Sequence, residues 1–187
     1  MSKTNIWKGC AAGMAGGLAA TLVMTGFQSA WTAAMPKNSG KNGDGSQSSA
    51  KSESEDLQNE GKSQSENVGP TSKVANKIVG ITGRELSPEG KKTGGAVVHY
   101  AFGTLMGAVY GTTLEFAPRR YRRNALGSGL IMGSALFAAA DEVALPALRL
   151  TPNPVETPGS MHLYGFVSHL IYGVTAGLIT RTLRKAM

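Results

Sequence analysis

Residues 94–117 read GGAVVHYAFGTLMGAVYGTTLEFA. Apart from tyrosine, only His99 and Glu115 in this stretch can carry charge, and His99, Gly103, Gly107, Gly111 and Glu115 recur every four residues. A period of four places side chains on one helix face. A helix lying on a soluble core shows water a polar face on every turn; this one shows mostly glycine. In a bilayer, apolar surface does not drive helices together, and glycine lets two backbones approach closely. The stretch therefore predicts a membrane-spanning helix seated on another helix by its small face.

Three more apolar runs share this character. Gly9 to Met35 ends at Pro36, Ala125 to Leu145 is closed by Pro146, and Met161 to Thr180 is opened by Thr157-Pro158. A hydrocarbon core needs about 20 apolar residues of helix, and each run comes close. Ser87-Pro88-Glu89 supplies the second run with an N-cap, a proline at the first helical position and an acid in the first turn. Series of small residues continue in the other runs: Gly9, Gly13, Gly17, Thr21, Thr25 and Ser29; Gly129 and Gly133, then Phe137 and Asp141; Gly165, His169, Gly173, Gly177 and Arg181. The expected fold is an all-α membrane protein with four transmembrane helices in a tightly packed, Gly-rich bundle. His99-x-x-Phe102-Gly103-x-x-x-Gly107 is echoed by His169-x-x-Tyr172-Gly173-x-x-x-Gly177. The echo reads as a duplicated helix hairpin, with coincidence in a chain of 25 glycines as the alternative.

The mean hydropathy of −0.11 averages two unlike parts. Residues 36–93 are polar and hold eight of the twelve acids. The expected organisation is a cytoplasmic N-terminus and first helix over 1–35, a flexible low-complexity linker over 36–72, a juxtamembrane amphipathic segment over 73–93 and a three-helix region over 94–187. The linker has almost no large apolar residue to offset its ordering entropy. In the next segment Val74, Ile78 and Ile81 share a face suited to lying on a membrane surface, and a frayed extension of the second span is the alternative.

The formal net charge is +7, and the sequence pI is 9.7. The basic clusters sit at the ends of apolar runs and lack the interleaved aromatics that stack bases, so no nucleic-acid partner is expected. The expected partner is the lipid bilayer, with homo-oligomerisation through the small-residue faces. Arg119, Arg120, Arg122 and Arg123 join the second and third runs; Lys3 and Lys8 precede the first; Arg181, Arg184 and Lys185 close the last. Positive loops stay cytoplasmic. Both termini and the arginine loop are therefore expected on the cytoplasmic side of the membrane, with Thr151–Gly159 and the linker outside. A cleaved signal peptide is the alternative for the first run, but its apolar length exceeds a usual signal core. The single cysteine, Cys10, permits no intramolecular disulfide and reads as a small packed residue.

His99, Asp141, Glu142 and His169 lie within or at the edges of spans, where ionisable groups are costly and become functional candidates. At 1.5 Å per residue, His99 and Asp141 fall at similar depths from the outer end. A short loop joins their spans, so they are expected to meet as a His/Asp cluster that answers external pH. The plainer reading is hydrogen bonding across the bundle. Glu115 is expected to pair with the arginine loop. No nucleophile–base pattern, phosphate loop or metalloprotease motif is present, so neither an enzyme nor a resident metal or cofactor is expected. A haem held between His99 and His169 is kept as an alternative.

Asp141-Glu142-x-x-x-Pro146, a Pro-rich loop, then His162-x-Tyr-Gly and His169-x-x-Tyr-Gly resemble the YagU-like family of uncharacterised bacterial inner membrane proteins. His99-Tyr and Tyr110 fit the same resemblance, which covers roughly residues 74–187. It implies an inner-membrane location and several spans, and supplies no activity or catalytic residues. The 37–70 stretch departs from it. The expected function is non-enzymatic, structural or stress-adaptive at envelope pH, with proton or metal-ion handling through the His/Asp cluster as the alternative.

Overall fold

The computed structural model describes residues 5–34, 69–81 and 83–187; the linker expected over 36–72 lies outside these except at its last residues. The described residues are helical, with no strand among them. In chain order the elements are α1 (Ile6–Ala34), α2 (Pro70–Gly80), α3 (Pro88–Phe116), α4 (Arg119–Arg123) and α5 (Ala125–Leu136). A π-helical segment, Phe137–Ala144, extends α5 into the short α6 (Leu145–Ala147). A 3-10 turn at Pro154–Glu156 precedes α7 (Gly159–Ala186).

Three of these are long and apolar enough to cross a membrane: Ile6–Ala34, Ala125–Ala147 and Gly159–Ala186. They mark the chain as a membrane protein. The fourth expected span, α3, is 29 residues long but is not among the three. Its glycines, His99, Tyr100 and threonines dilute its apolar content. Ser87 caps it as the sequence leads one to expect, accepting a hydrogen bond from the Gly90 N–H, and Pro88 opens it.

The helices pack as two pairs sharing one seam. α1 lies along both α3 and α7, and α5 lies along α7. α3 and α5 are consecutive long helices, yet each has its principal partner elsewhere. The reason is visible in the backbone. A methyl group at Gly13 or Gly17 would overlap the carbonyl oxygens of Gly107 and Gly103, and one at Gly111 would overlap that of Gly9. In the second pair, a methyl at Gly129 or Gly173 would overlap the other's carbonyl oxygen, Gly133 faces the His169 carbonyl, and Gly177 faces that of Ala125. At these positions any side chain would hold the backbones apart. Between the pairs, Ala20 and Met24 of α1 meet Tyr172 and Ala176 of α7, with Met106 and Leu136 against them. Tyr172 is 2% exposed and donates to the Gly103 carbonyl at 2.5 Å, tying α7 to α3. Tyr110 and Ser128 share a 2.8 Å hydrogen bond between α3 and α5.

The segment expected to be juxtamembrane and amphipathic carries α2, which packs on the bundle. α2 packs along α3, with Ala75 against Gly94 and Ser72 against Gly95, and its buried residue is Ala75. Ile78 and Ile81 of the expected apolar face stay exposed. Small side chains on α2 let it approach the paired glycines of α3. Helix formation also begins at Pro70, inside the stretch expected to be linker. Lys73 and Lys77 donate to the carbonyls of Leu150 and Leu148, the unsatisfied acceptors just beyond α6, where Arg149 turns at a φ of 55°.

Gly107→Leu should lower the stability of the detergent-purified protein by about 3 kcal/mol, because overpacking at a backbone contact cannot be relieved by a rotamer. Gly26→Leu, on the same bundle but with open space at its Cβ, should stay within ~0.5 kcal/mol of wild type. Thermal unfolding of both variants checks the contrast.

Candidate functional site

Two groups of ionisable residues occupy opposite ends of the bundle. At one end the π-helical segment carries Asp141 and Glu142. Adjacent residues on a helix diverge, and these two find different partners on α7. Asp141 Oδ2 lies 3.5 Å from His169 Nδ1. Glu142 Oε1 lies 2.6 Å from Nδ1 of His162. The histidines are seven residues apart, two turns on one face. The wider π-helical turn aims both carboxylates at that face; such segments recur at functional sites. Gly165 leaves room for the approach, since a methyl there would crowd Asp141 and the Phe137 ring.

The hydrogen bonds constrain the protons. His169 Nδ1 is 2.9 Å from the Gly165 carbonyl, which can only accept, so Nδ1 carries a hydrogen. His162 Nε2 is 3.0 Å from the Pro154 carbonyl and must likewise donate. Its Nδ1 then faces Glu142 at 2.6 Å. That separation requires a proton between the two atoms, either as an imidazolium on a carboxylate or as a carboxylic acid donating to a neutral ring. A bare lone pair against a carboxylate would be repelled.

Of the four residues read from the sequence as one cluster, the structure brings Asp141 together with His169. It gives Glu142 to His162, and sets His99 of α3 against Thr25 of α1. Thr25 donates its hydroxyl hydrogen to the Thr21 carbonyl, leaving its oxygen to accept from His99 Nε2 at 3.4 Å. No ion pair joins His99 to Asp141 among the described residues; their helices are not principal neighbours, and a short connection did not make them so. His99 remains within electrostatic reach of His169. His162 lies outside the cluster read from the sequence. Its spacing of seven from His169, opposite a consecutive Asp-Glu, was the available signal. Among the described residues no group of three or more His, Cys, Asp or Glu side chains is arranged to hold a metal ion.

At the other end Glu115, 6% exposed, draws three helix ends together. Arg184 of α7 donates to it through Nε at 2.5 Å and through a terminal nitrogen at 3.2 Å, and the Asn5 backbone N–H, at the start of α1, donates at 3.1 Å. Its ion-pair partner is thus the last helix rather than the arginine loop. Arg119, Arg120 and Arg123 of that loop are exposed and Arg122 is half-buried.

Residues 51–178 match the DUF1440 family, whose description is a protein of unknown function. The chain belongs to this family. No curated protein and no solved structure matches it. The DUF1440 match takes in both carboxylates of the π-helical segment and both of their histidine partners, and it leaves α1 outside.

Arg184→Leu would strand a buried carboxylate. Removing one partner of a buried ion pair costs about 3–5 kcal/mol, and Arg184 is partly exposed, so a loss of about 2–4 kcal/mol is expected. Glu115→Leu combined with Arg184→Leu should recover most of it. A chemical-denaturation series on the single and double variants measures both.

Proposed function

We propose that the chain is a four-span bacterial inner membrane protein of the YagU-like kind, non-enzymatic, with a structural and stress-adaptive role set by pH outside the cell membrane. The single observation that carries this reading is the 2.6 Å contact between His162 Nδ1 and Glu142 Oε1, which calls for a proton between them. Below neutral pH an imidazole readily carries that proton. Removing it sets a lone pair against a carboxylate, so the contact must open, and with it the join between the π-helical segment and the first turn of α7. Asp141 and His169 extend the same join deeper, while His99 faces His169 from α3 and Lys73 and Lys77 hold the chain beyond α6. The outer end is thus closed in acid and loosened as pH rises.

In this reading α3 is the fourth span, sheltered from lipid on its glycine face by α1. The starts of α1 and α5 and the ends of α3 and α7 then share the basic end. Positive residues favour the cytoplasm, which puts both termini inside and Pro154–Glu156 outside. The pairing of α1 with α3 and of α5 with α7 favours a duplicated hairpin. Self-association would use faces other than the glycine series, which the chain occupies itself. Proton handling is the second reading, favoured by the inward succession from Glu142–His162 to Asp141–His169 to His99. A haem would need His99 Nε2, which Thr25 already engages.

Two measurements test this. In a Cys10→Ser background, Val155→Cys, which is 92% exposed, should react with an impermeant thiol reagent on intact spheroplasts, and Arg120→Cys only after lysis; the reverse pattern would refute the orientation. The wild-type protein should lose about 1 kcal/mol of stability between pH 5 and pH 8 as the charge-assisted hydrogen bond is lost, and Glu142→Gln should flatten that slope. Equal slopes in the two proteins would remove the pH role, and proton flux in proteoliposomes that His169→Gln abolishes would establish the second reading instead.

A further inference from the structure

Beside Glu115, at the end opposite the histidine pairs, α1, α3, α4 and α7 enclose a half-open cavity of about 310 Å³. Arg122, Arg123, Arg181, Arg184 and Lys185 line it, and Glu115 is the only carboxylate among its lining residues. Arg184 is engaged by that carboxylate. The other four basic residues form no ion pair among the described residues. Arg122 feels Glu115 only at a distance. Thr180 also lines the cavity. It is 2% exposed, packs against Gly16, and its hydroxyl has no hydrogen-bond partner.

Four cations gathered on one concave surface repel one another unless an anion sits among them. Arginine forks match phosphate oxygens in pairs. The surroundings indicate where that phosphate comes from. Arg181 and Thr180 lie about 8–9 Å from the end of α7, at 1.5 Å per residue, near the depth at which headgroups meet the hydrocarbon. Leu114, Gly9 and Gly111 give the cavity an apolar wall. We propose that this cavity binds the phosphodiester headgroup of an anionic phospholipid, with Arg122 and Arg181 as its principal donors. Basic pockets between transmembrane helices hold acidic headgroups in this way. The site goes beyond the proposed pH role, lies at the other end of the molecule, and stands or falls independently of it.

The test is native mass spectrometry of the full-length protein in detergent, titrated with phosphatidylglycerol or phosphatidylcholine, with inorganic phosphate as competitor. Wild type should retain phosphatidylglycerol at least tenfold more tightly than phosphatidylcholine. Arg122→Gln combined with Arg181→Gln should weaken that binding about 30-fold, the factor that two basic contacts contribute at a membrane surface. Arg119→Gln combined with Arg120→Gln, exposed and outside the lining, should leave it within about twofold. If the cavity variant does not fold, Arg181→Gln alone should show about a fivefold loss. Equal loss in the cavity and loop variants would reduce the effect to general surface charge and overturn the site. Displacement of the lipid by millimolar inorganic phosphate would overturn the lipid as its occupant.

Discussion

The close approach of glycine backbones is the constraint on which the rest of this structure depends. Gly9, Gly13 and Gly17 on α1 meet Gly103, Gly107 and Gly111 on α3, and Gly129 and Gly133 on α5 meet Gly173, Gly177 and the His169 carbonyl on α7. Across the seam between these pairs Tyr172 reaches the Gly103 carbonyl, and within the first pair Thr25 meets His99 at 3.4 Å. Lipid tails are as apolar as leucine, so burying leucine between helices gives little; packing and interhelical hydrogen bonds carry association. The exposed large residues, such as Leu18, Leu22, Leu105 and Ile131, accordingly point away from the bundle.

Much of this architecture was legible in the chain. Apolar runs ended by proline set the long helices, Ser87-Pro88 set the start of α3, and a spacing of four marked the small faces. Spacing names a face but not the helix it meets. Loop length suggested that α3 and α5 were neighbours, whereas backbone fit favoured α1 with α3 and α5 with α7. The π-helical segment was not legible either: nothing in Phe137–Ala144 announces that a helix will widen, yet that widening directs Asp141 and Glu142 to one face of α7. The contact of α2 with α3 was not legible either: Ser72 and Ala75, opposite Gly95 and Gly94, make it, while Ile78 and Ile81 stay exposed.

The two ends of the bundle divide the chemistry between them. One has histidines set against carboxylates, His162 within 2.6 Å of Glu142 and His169 within 3.5 Å of Asp141. The other has a single buried carboxylate that gathers three helix ends beneath an excess of arginine. α7 joins them, carrying His162 and His169 near its start and Thr180, Arg181 and Arg184 near its finish. Its middle is held by glycine contacts to α5 and by Tyr172 to α3.

The central claim is that α3, too polar to stand out as a span by hydropathy, is held within the bilayer by its backbone contact with α1. Hydrogen–deuterium exchange on the protein in lipid nanodiscs tests it most directly. Slow exchange over residues 95–115, matching that of α1, is the expected result. Rapid exchange through Gly103–Gly111 while α1 stays protected would show α3 lying outside the membrane and would contradict the account.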